Sequence, residues 1–363
     1  MSRYFYYLFV LNMFINTIFF VPRILLAKRY DGAISSILLA IVIGSLLAFL
    51  FTSAMNRLNG QGLPEMLEKS FPFAIRAPLL IYFGIMWCAA GSIILIAFSH
   101  ITQRYLNPDM NPNILLLCYC GIGWWAATFR PMAILNAAEI IILVQLPFVL
   151  YIMMKTLLNR EFDWDELRVL TDYIWRMPSW TSLAAATYGF TGYINFALYN
   201  RLYKNMKVKH RWLIPLLGTS VMFVSIFVPI GLLGVDAVAD YLYTWISTAD
   251  TTRIRFGFVE RIVYLFLFIY IGFCLLFIAI TWNIGSLLVL SCVKRDNVKI
   301  RKHNVSMKTV VCGLFAVVTL VLGMLSNDKR LLEFVTQWLS VRFVSEVFLV
   351  ALVVWLSWRR KHA

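Results

Sequence analysis

Polar residues accompany two glycines in the middle of an apolar segment that runs from about residue 179 to residue 199. The glycines are Gly189 and Gly192, and the polar side chains around them are Thr187, Thr191 and Asn195. A glycine inside a helix costs up to ~1 kcal/mol relative to alanine, and irregular backbone at membrane depth persists only where protein or a watery cavity supplies hydrogen bonds. Unwound backbone offers N–H groups to an anion and carbonyl groups to a cation. The segment therefore predicts a binding site for a small polar solute.

A matching feature occurs in the first apolar segment, where Asn16 and Thr17 precede Pro22. Transporters built on broken helices place a corresponding break in each half of the chain. We therefore expect Asn16 and Thr17 to face the same ligand. The alternative is that the two glycines only allow neighbouring helices to pack closely, which is a common use of small residues in membranes.

Three carboxylates lie in or beside apolar segments, where a charge is expensive and often functional. For Glu139, in the fifth segment, the sequence leaves two roles open: contact with a proton or a ligand, or a structural hydrogen bond to a neighbouring helix. Glu260 and Arg261 open the eighth segment on different sides of a helix, so they need other partners, in a gating network or at a ligand. Glu346 follows Arg342 by one turn, which predicts an ion pair.

The sequence lacks the common enzyme signatures: GxSxG, HExxH, Walker A and the dinucleotide fingerprint are all missing. Its six cysteines and four histidines show no metal-ligand spacing. We therefore expect no enzyme activity, no metal and no cofactor.

The elements that must position these residues are membrane helices. The 363 residues are 61% hydrophobic and 14% charged, with mean hydropathy +0.77, far from the composition of a soluble domain. The eighth apolar segment begins near residue 259 and continues to about residue 293, which is too long for one straight crossing. Its length predicts a bend or an exit from the membrane near residues 282–285. Ten apolar segments predict ten spans, in two inverted repeats of five, residues 1–155 and 156–363, that form one membrane domain. The spans are expected at about 5–26, 33–55, 76–98, 112–129, 131–154, 179–199, 213–234, 259–281, 307–325 and 341–358.

The net charge of +15 comes from short basic clusters between apolar segments, not from a basic domain that could bind nucleic acid. Two clusters, at 201–211 and 294–308, fall on one side of a ten-span protein together with the basic C-terminal tail. Since cytoplasmic loops are rich in Lys and Arg, we expect that side to be the cytoplasm. Both termini are then cytoplasmic.

Several short motifs, in this order and spacing, resemble the endospore germination permeases. They are Ile18-Phe-Phe-Val-Pro22, Tyr30-Asp-Gly-Ala-Ile34, Asn136-Ala-Ala-Glu139 and Arg253-Ile-Arg-Phe-Gly-Phe-Val-Glu-Arg261. These permeases are the B-type subunits of spore germinant receptors, a branch of the amino acid–polyamine–organocation transporter superfamily. The resemblance covers nearly the whole chain.

The resemblance implies an all-α integral membrane protein of the LeuT type, with about ten transmembrane helices of which the first and sixth are broken. It implies a small germinant, amino acid or nucleoside-like, and a position in the bilayer of the spore inner membrane or the bacterial cell membrane. It also implies an A-type membrane subunit and a C-type lipoprotein as partners. The alternative function is a proton-coupled amino acid permease in which Glu139 or Glu260 titrates. A membrane enzyme acting on lipid or glycan precursors would lack a catalytic constellation.

Overall fold

Long apolar helices make up most of the chain, because backbone N–H and C=O groups in hydrocarbon must bond within their own segment. The computed structural model describes residues 2–58, 60–203, 208–251, 253–256, 259–292 and 300–359. At residues 2, 253–256, 259–262 and 300–306 it describes the backbone alone.

The first half contains α1 Ser2–Ile18, α2 Phe20–Ala27, α3 Ala33–Arg57, α4 Leu63–Ser70, α5 Phe73–Tyr105, α6 Pro112–Ala127 and α7 Pro131–Leu157. The second half contains α8 Asp165–Arg168, α9 Trp180–Tyr188, α10 Phe196–Tyr199, α11 Leu213–Leu233, α12 Thr244–Thr251, α13 Ile262–Leu290, α14 Ile300–Leu325 and α15 Asp328–Arg359. Short 3₁₀ turns lie at Val169–Tyr173, Thr191–Asn195, Asn200–Leu202 and Ala237–Asp240. A small antiparallel hairpin, β1 Arg253–Phe256 and β2 Val259–Arg261, precedes α13.

Seven helices in the described chain are long and apolar enough to cross a bilayer, and the bent pair α1–α2 makes an eighth. The seven are α3, α5, α7, α11, α13, α14 and α15. With 16 residues, α6 would extend only about 24 Å at 1.5 Å per residue, short of the ~30 Å of hydrocarbon. The chain is a multi-pass integral membrane protein, while the count of ten spans stays a prediction.

The first break lies at Phe19, where α1 and α2 meet at an angle of 53°. Asn16 and Thr17, which the sequence predicts at the break, are instead in the last turn of α1. Their side chains donate to carbonyls one turn earlier, Thr17 Oγ1 to Met13 O at 3.0 Å. Pro22 lies in the first turn of α2, where its missing N–H has no intrahelical partner to lose.

The second break follows Tyr188, the last residue of α9. Gly189 and Phe190 come next and lead into the 3₁₀ turn Thr191–Asn195, after which α10 resumes the helix. The break is thus Gly189 and Phe190, where the backbone keeps near-helical angles, with φ −56° and ψ −27° at Gly189. The chain after the break is tightened into 3₁₀ geometry.

The eighth segment forms one uninterrupted helix, α13, which packs against α1, α5, α6, α7 and α14. The helix continues unbroken through residues 282–285 to Leu290, with Trp282 and Asn283 fully buried, and an exit from the membrane there stays a prediction. Asn283 Nδ2 donates to the carbonyl of Ala127, the last residue of α6, at 2.9 Å and to that of Phe129, just after the helix, at 3.0 Å. A polar residue satisfied in this way can stay inside the helix bundle.

Candidate solute-binding site

A central cavity lies between α1, α5, α13, α15 and the second break. Its empty space, counted together with the part open to solvent, is about 520 Å³. Aromatic and aliphatic side chains form most of the wall, and a few polar groups project from it, as in many small-molecule sites. Those polar residues are Asn12, Thr191, Asn195, Thr281, Arg342, Ser345 and Glu346.

Two of these polar residues form a buried ion pair on α15. Arg342 Nη1 lies 2.5 Å from Glu346 Oε2, one helical turn away, and the two side chains are only 5% and 1% exposed. The ion pair expected from the sequence is therefore present. Its position on the wall of the central cavity is what the sequence does not reveal.

The same pair holds both sides of the second break. Arg342 Nη2 donates to Ala184 O and, at 2.9 Å, to Thr187 Oγ1, both in α9 before the break. Glu346 Oε1 accepts a hydrogen bond of 2.6 Å from the hydroxyl of Tyr193, which lies after the break. One turn of α15 thus clamps the two pieces of the sixth segment to each other.

Asparagines of α1 satisfy the carbonyl that the break leaves free. Asn12 Nδ2 donates to Tyr188 O at 2.8 Å and to Thr191 Oγ1 at 3.2 Å. Thr191 Oγ1 itself donates to Tyr188 O at 2.7 Å. Asn16 Nδ2 bonds mainly to Asn12 O at 2.7 Å and reaches Tyr188 O at 3.4 Å. The helix end at the second break is therefore fixed to the first helix.

Trp87 of α5 completes this frame. Its Nε1 donates to Asn195 Oδ1 at 2.9 Å, and Asn195 Nδ2 donates to Gly192 O at 3.2 Å. Both residues line the central cavity.

Two N–H donors on the cavity wall have no hydrogen-bond partner among the described residues: Trp338 Nε1 and Arg342 Nε. Both residues belong to α15 and lie one turn apart. Tyr188 packs against both, with its ring edge-on to Trp338 at 5.4 Å and under the Arg342 guanidinium at 5.0 Å.

The ligand-binding residues expected from the sequence fall into several places. Thr191 and Asn195 line the central cavity, and Thr187 contacts Arg342 on its wall. Asn16, Thr17 and Gly189 instead line a smaller pocket against α11.

Gly192 packs directly on the backbone of α1. A Cβ atom added there would lie 2.6 Å from Phe9 Cα and 2.8 Å from Leu8 O, well inside contact distance. For Gly192 the geometry favours the close-packing alternative.

Glu139, on α7, lies beside the N-terminal end of α1, and it is not one of the described residues that line the central cavity. Its Oε1 is 2.9 Å from Arg3 Nη1, and Tyr4 of the same helix donates to Asn136 at 2.9 Å. These contacts join α7 to the start of α1. For Glu260 and Arg261 the backbone forms part of β2, and their side chains lie outside what the structure describes.

At the opposite end of the first segment, the turn after α2 is tied to the loop after α11. Tyr30 donates its hydroxyl to Asp236 Oδ1 at 2.7 Å, and Arg29 Nη2 lies 3.4 Å from the same oxygen. The Tyr30 hydrogen bond, and after it the Arg29 guanidinium, lower the pKa of Asp236 below its usual value.

Within the described residues, no group of three His, Cys, Asp or Glu side chains is placed to hold a metal ion.

Several residues that line the cavity were not predicted from the sequence as site residues. For Arg342 and Glu346 a usable signal exists, because charges at membrane depth are expensive and rare. The sequence also holds a usable signal for Asn12, because this residue lies one turn before Asn16 on the same helix face. Trp87 and Trp338 carry no such signal in a chain with 12 tryptophans.

Comparison with known proteins gives a family and a fold. A family of sequences described as "Spore germination protein" matches residues 2–331 of the chain. No curated protein of similar sequence was found. Among solved structures, the chain is similar to a Na⁺-coupled sialic acid symporter in a substrate-bound outward-open state, with a TM-score of 0.52 and 15% identity, over 88% of this chain and 72% of that one. At that identity the likeness concerns the fold, which is that of a transporter.

Proposed function

Since this chain belongs to the spore germination permease family, within the amino acid–polyamine–organocation superfamily, we propose that it is the B-type membrane subunit of a spore germinant receptor. In this proposal the subunit binds a small germinant, such as an amino acid or a nucleoside-like solute, in the central cavity. It acts with an A-type membrane subunit and a C-type lipoprotein in the inner membrane of the spore.

The observation that carries this proposal is the position of the cavity beside a clamped break. Arg342 holds the piece of the sixth segment before the break, and Glu346 holds the piece after it, while both line the cavity. A solute that contacts these groups would bind one arrangement of the two pieces more tightly than another. A sensor needs no more than such a difference in affinity between two states.

The finer architecture belongs to the same proposal. Ten helices form two inverted repeats, residues 1–155 and 156–363, with both termini in the cytoplasm. The transporter fold of the related symporter supports the repeats, and the basic clusters at 201–211 and 294–308 support the orientation. Thr187, Thr191 and Asn195 are the proposed surroundings of the ligand in the central cavity. Asn16, Thr17 and Gly189, which line the smaller pocket against α11, and Gly192, which packs on α1, are ligand residues only by the sequence-based prediction. Glu139, Glu260 and Arg261 are proposed for gating.

The test combines genetics with binding. Spores that lack this chain should lose the response to at least one germinant and regain it when the gene is restored. The same germinant should raise the thermal unfolding midpoint of the purified protein in lipid nanodiscs, because a ligand that binds only the folded state stabilises it. Normal germination of the deletion strain with every germinant that the parent strain uses would refute the proposal.

The alternative, a proton-coupled amino acid permease, is favoured only by the transporter fold. Uptake of labelled amino acids into proteoliposomes, driven by a proton gradient, would distinguish it from a sensor. We expect the germinant to bind without such uptake.

A further inference from the structure

Two residues on one face of α15, Trp338 and Arg342, line the central cavity, and each carries a buried N–H donor. Trp338 is 8% exposed and Arg342 is 4% exposed, and both line the cavity. In each, one nitrogen, Nε1 of Trp338 and Nε of Arg342, has no partner in the described part of the chain. A buried donor left without a partner is costly, so two on one helix face require an explanation.

Both terminal nitrogens of the Arg342 guanidinium have hydrogen-bond partners. Nη1 contacts Glu346, and Nη2 contacts Ala184 O and Thr187 Oγ1. Tyr188 lies against one side of both Trp338 and Arg342. These contacts fix the guanidinium and the indole in place before a ligand arrives, and preorganised donors bind an acceptor with less loss of entropy.

We propose that Trp338 and Arg342 form a subsite on α15 that binds the carboxylate of the solute. This inference rests on the proposed function, since it specifies how the same cavity recognises its ligand. A carboxylate accepts hydrogen bonds and carries the charge opposite to that of a guanidinium, and such charge-assisted bonds are about twice as strong as neutral ones.

The charge balance sets a second requirement on the ligand. Arg342 and Glu346 together are neutral, so a carboxylate would add an unbalanced negative charge to a buried site, which is costly. The solute must therefore also bring a positive group, and Glu346 on the same wall is the carboxylate that faces it. A solute with both charges leaves the cavity neutral.

Substitution of Trp338 by phenylalanine separates recognition from folding. Trp338→Phe deletes an N–H that bonds to nothing in the described protein and retains an aromatic ring against Tyr188. The matched control is Trp282→Phe, because Trp282 Nε1 is also buried and has no partner among the described residues, while Trp282 is not one of the residues that line the cavity. Both variants should reach the membrane in normal amounts.

The measurement is the thermal unfolding midpoint of the purified full-length protein in nanodiscs. The probes are the common L-amino acids and acetate, each compared with its amide. We expect at least one amino acid to stabilise the parent protein, its amide and acetate to act at least about tenfold more weakly, and Trp338→Phe to weaken binding at least about tenfold, equivalent to about 1.4 kcal/mol. Trp282→Phe should bind like the parent.

Three results would overturn the subsite: no amino acid binds, the amide binds as well as the acid, or Trp338→Phe binds like Trp282→Phe. None of them bears on whether germination requires the chain. A nucleoside germinant that binds normally to Trp338→Phe would thus remove the subsite and leave the proposed function standing.

Discussion

Gly189 lies in the second break and Gly192 three residues later, in the 3₁₀ turn, yet their surroundings differ. A Cβ at Gly192 would meet backbone atoms of α1, Phe9 Cα at 2.6 Å and Leu8 O at 2.8 Å, and these cannot move without shifting the helix. At Gly189 the nearest atom is the sulfur of Met222 at 3.3 Å, on a flexible side chain.

This contrast predicts opposite outcomes for the same substitution. Gly192→Ala should lower the free energy of unfolding by about 1–3 kcal/mol, as overpacking does, and reduce the amount of protein in the membrane. Gly189→Ala should leave both nearly unchanged. Quantitative immunoblots and thermal unfolding of the two variants measure the difference. Equal losses in the two variants would contradict the contrast between the two surroundings.

Individual site residues were predictable where polar groups interrupt an apolar segment. Thr191 and Asn195, chosen on that basis, lie on the cavity wall. The pairing of Arg342 with Glu346 also followed from their spacing, because residues four apart share a helix face. Which helices that face meets depends on how distant segments pack, and a single sequence holds no such information.

Among the helices, α15 determines the geometry of the break through one buried ion pair. Removal of one partner leaves the other charge buried and unpaired, which typically costs about 3–5 kcal/mol. Removal of both charges avoids that penalty. The clamp on the sixth segment is lost in either case.

We therefore expect Glu346→Leu to be strongly destabilised and the double variant Arg342→Met with Glu346→Leu to be more stable than Glu346→Leu alone. Thermal unfolding of the single and double variants in nanodiscs provides the comparison. The double variant should still fail to respond to germinant, because nothing then joins Thr187 to Tyr193 across the break. Losses that simply add in the double variant would argue against a coupled pair.

The elements themselves were largely readable from hydropathy. The apolar stretches gave the positions of the long helices, since each must satisfy its own backbone within the membrane. The first break was predicted at Asn16 and Thr17 and occurs at Phe19, because both polar side chains find carbonyl partners within α1. The continuous α13 was missed because the carbonyls that satisfy Asn283 come from another helix.

For the whole molecule, orientation is the feature most open to a direct check. Asp165 and Lys209 are both exposed and belong to loops that the charge distribution assigns to opposite sides. A cysteine at Asp165 should react with an impermeant thiol reagent added to intact cells, and a cysteine at Lys209 should not. The parent protein, with its six native cysteines, sets the background. Labelling in the reverse pattern would invert the topology.

Composition is enough to predict that the protein lies in a membrane, but it does not predict where the cavity lies. A mean hydropathy of +0.77 is sufficient to identify a membrane protein. The location of the cavity is not readable in this way, because helices α1, α5, α13 and α15, far apart in the chain, form its wall together.

The central claim is that the germinant acts from the central cavity, and filling that cavity tests it most directly. Ala90 of α5 lines the cavity, and its neighbour Ala89 does not. A leucine at residue 90 would occupy space that the solute needs, whereas a leucine at residue 89 adds the same volume elsewhere on the helix.

The measurement is the germination dose–response of spores that carry Ala90→Leu or Ala89→Leu at normal protein abundance. We predict that Ala90→Leu raises the germinant concentration needed for half-maximal response by about tenfold or more, a loss of at least 1.4 kcal/mol in binding. Ala89→Leu should respond like the parent. A parental dose–response from Ala90→Leu spores with normal abundance would contradict the account.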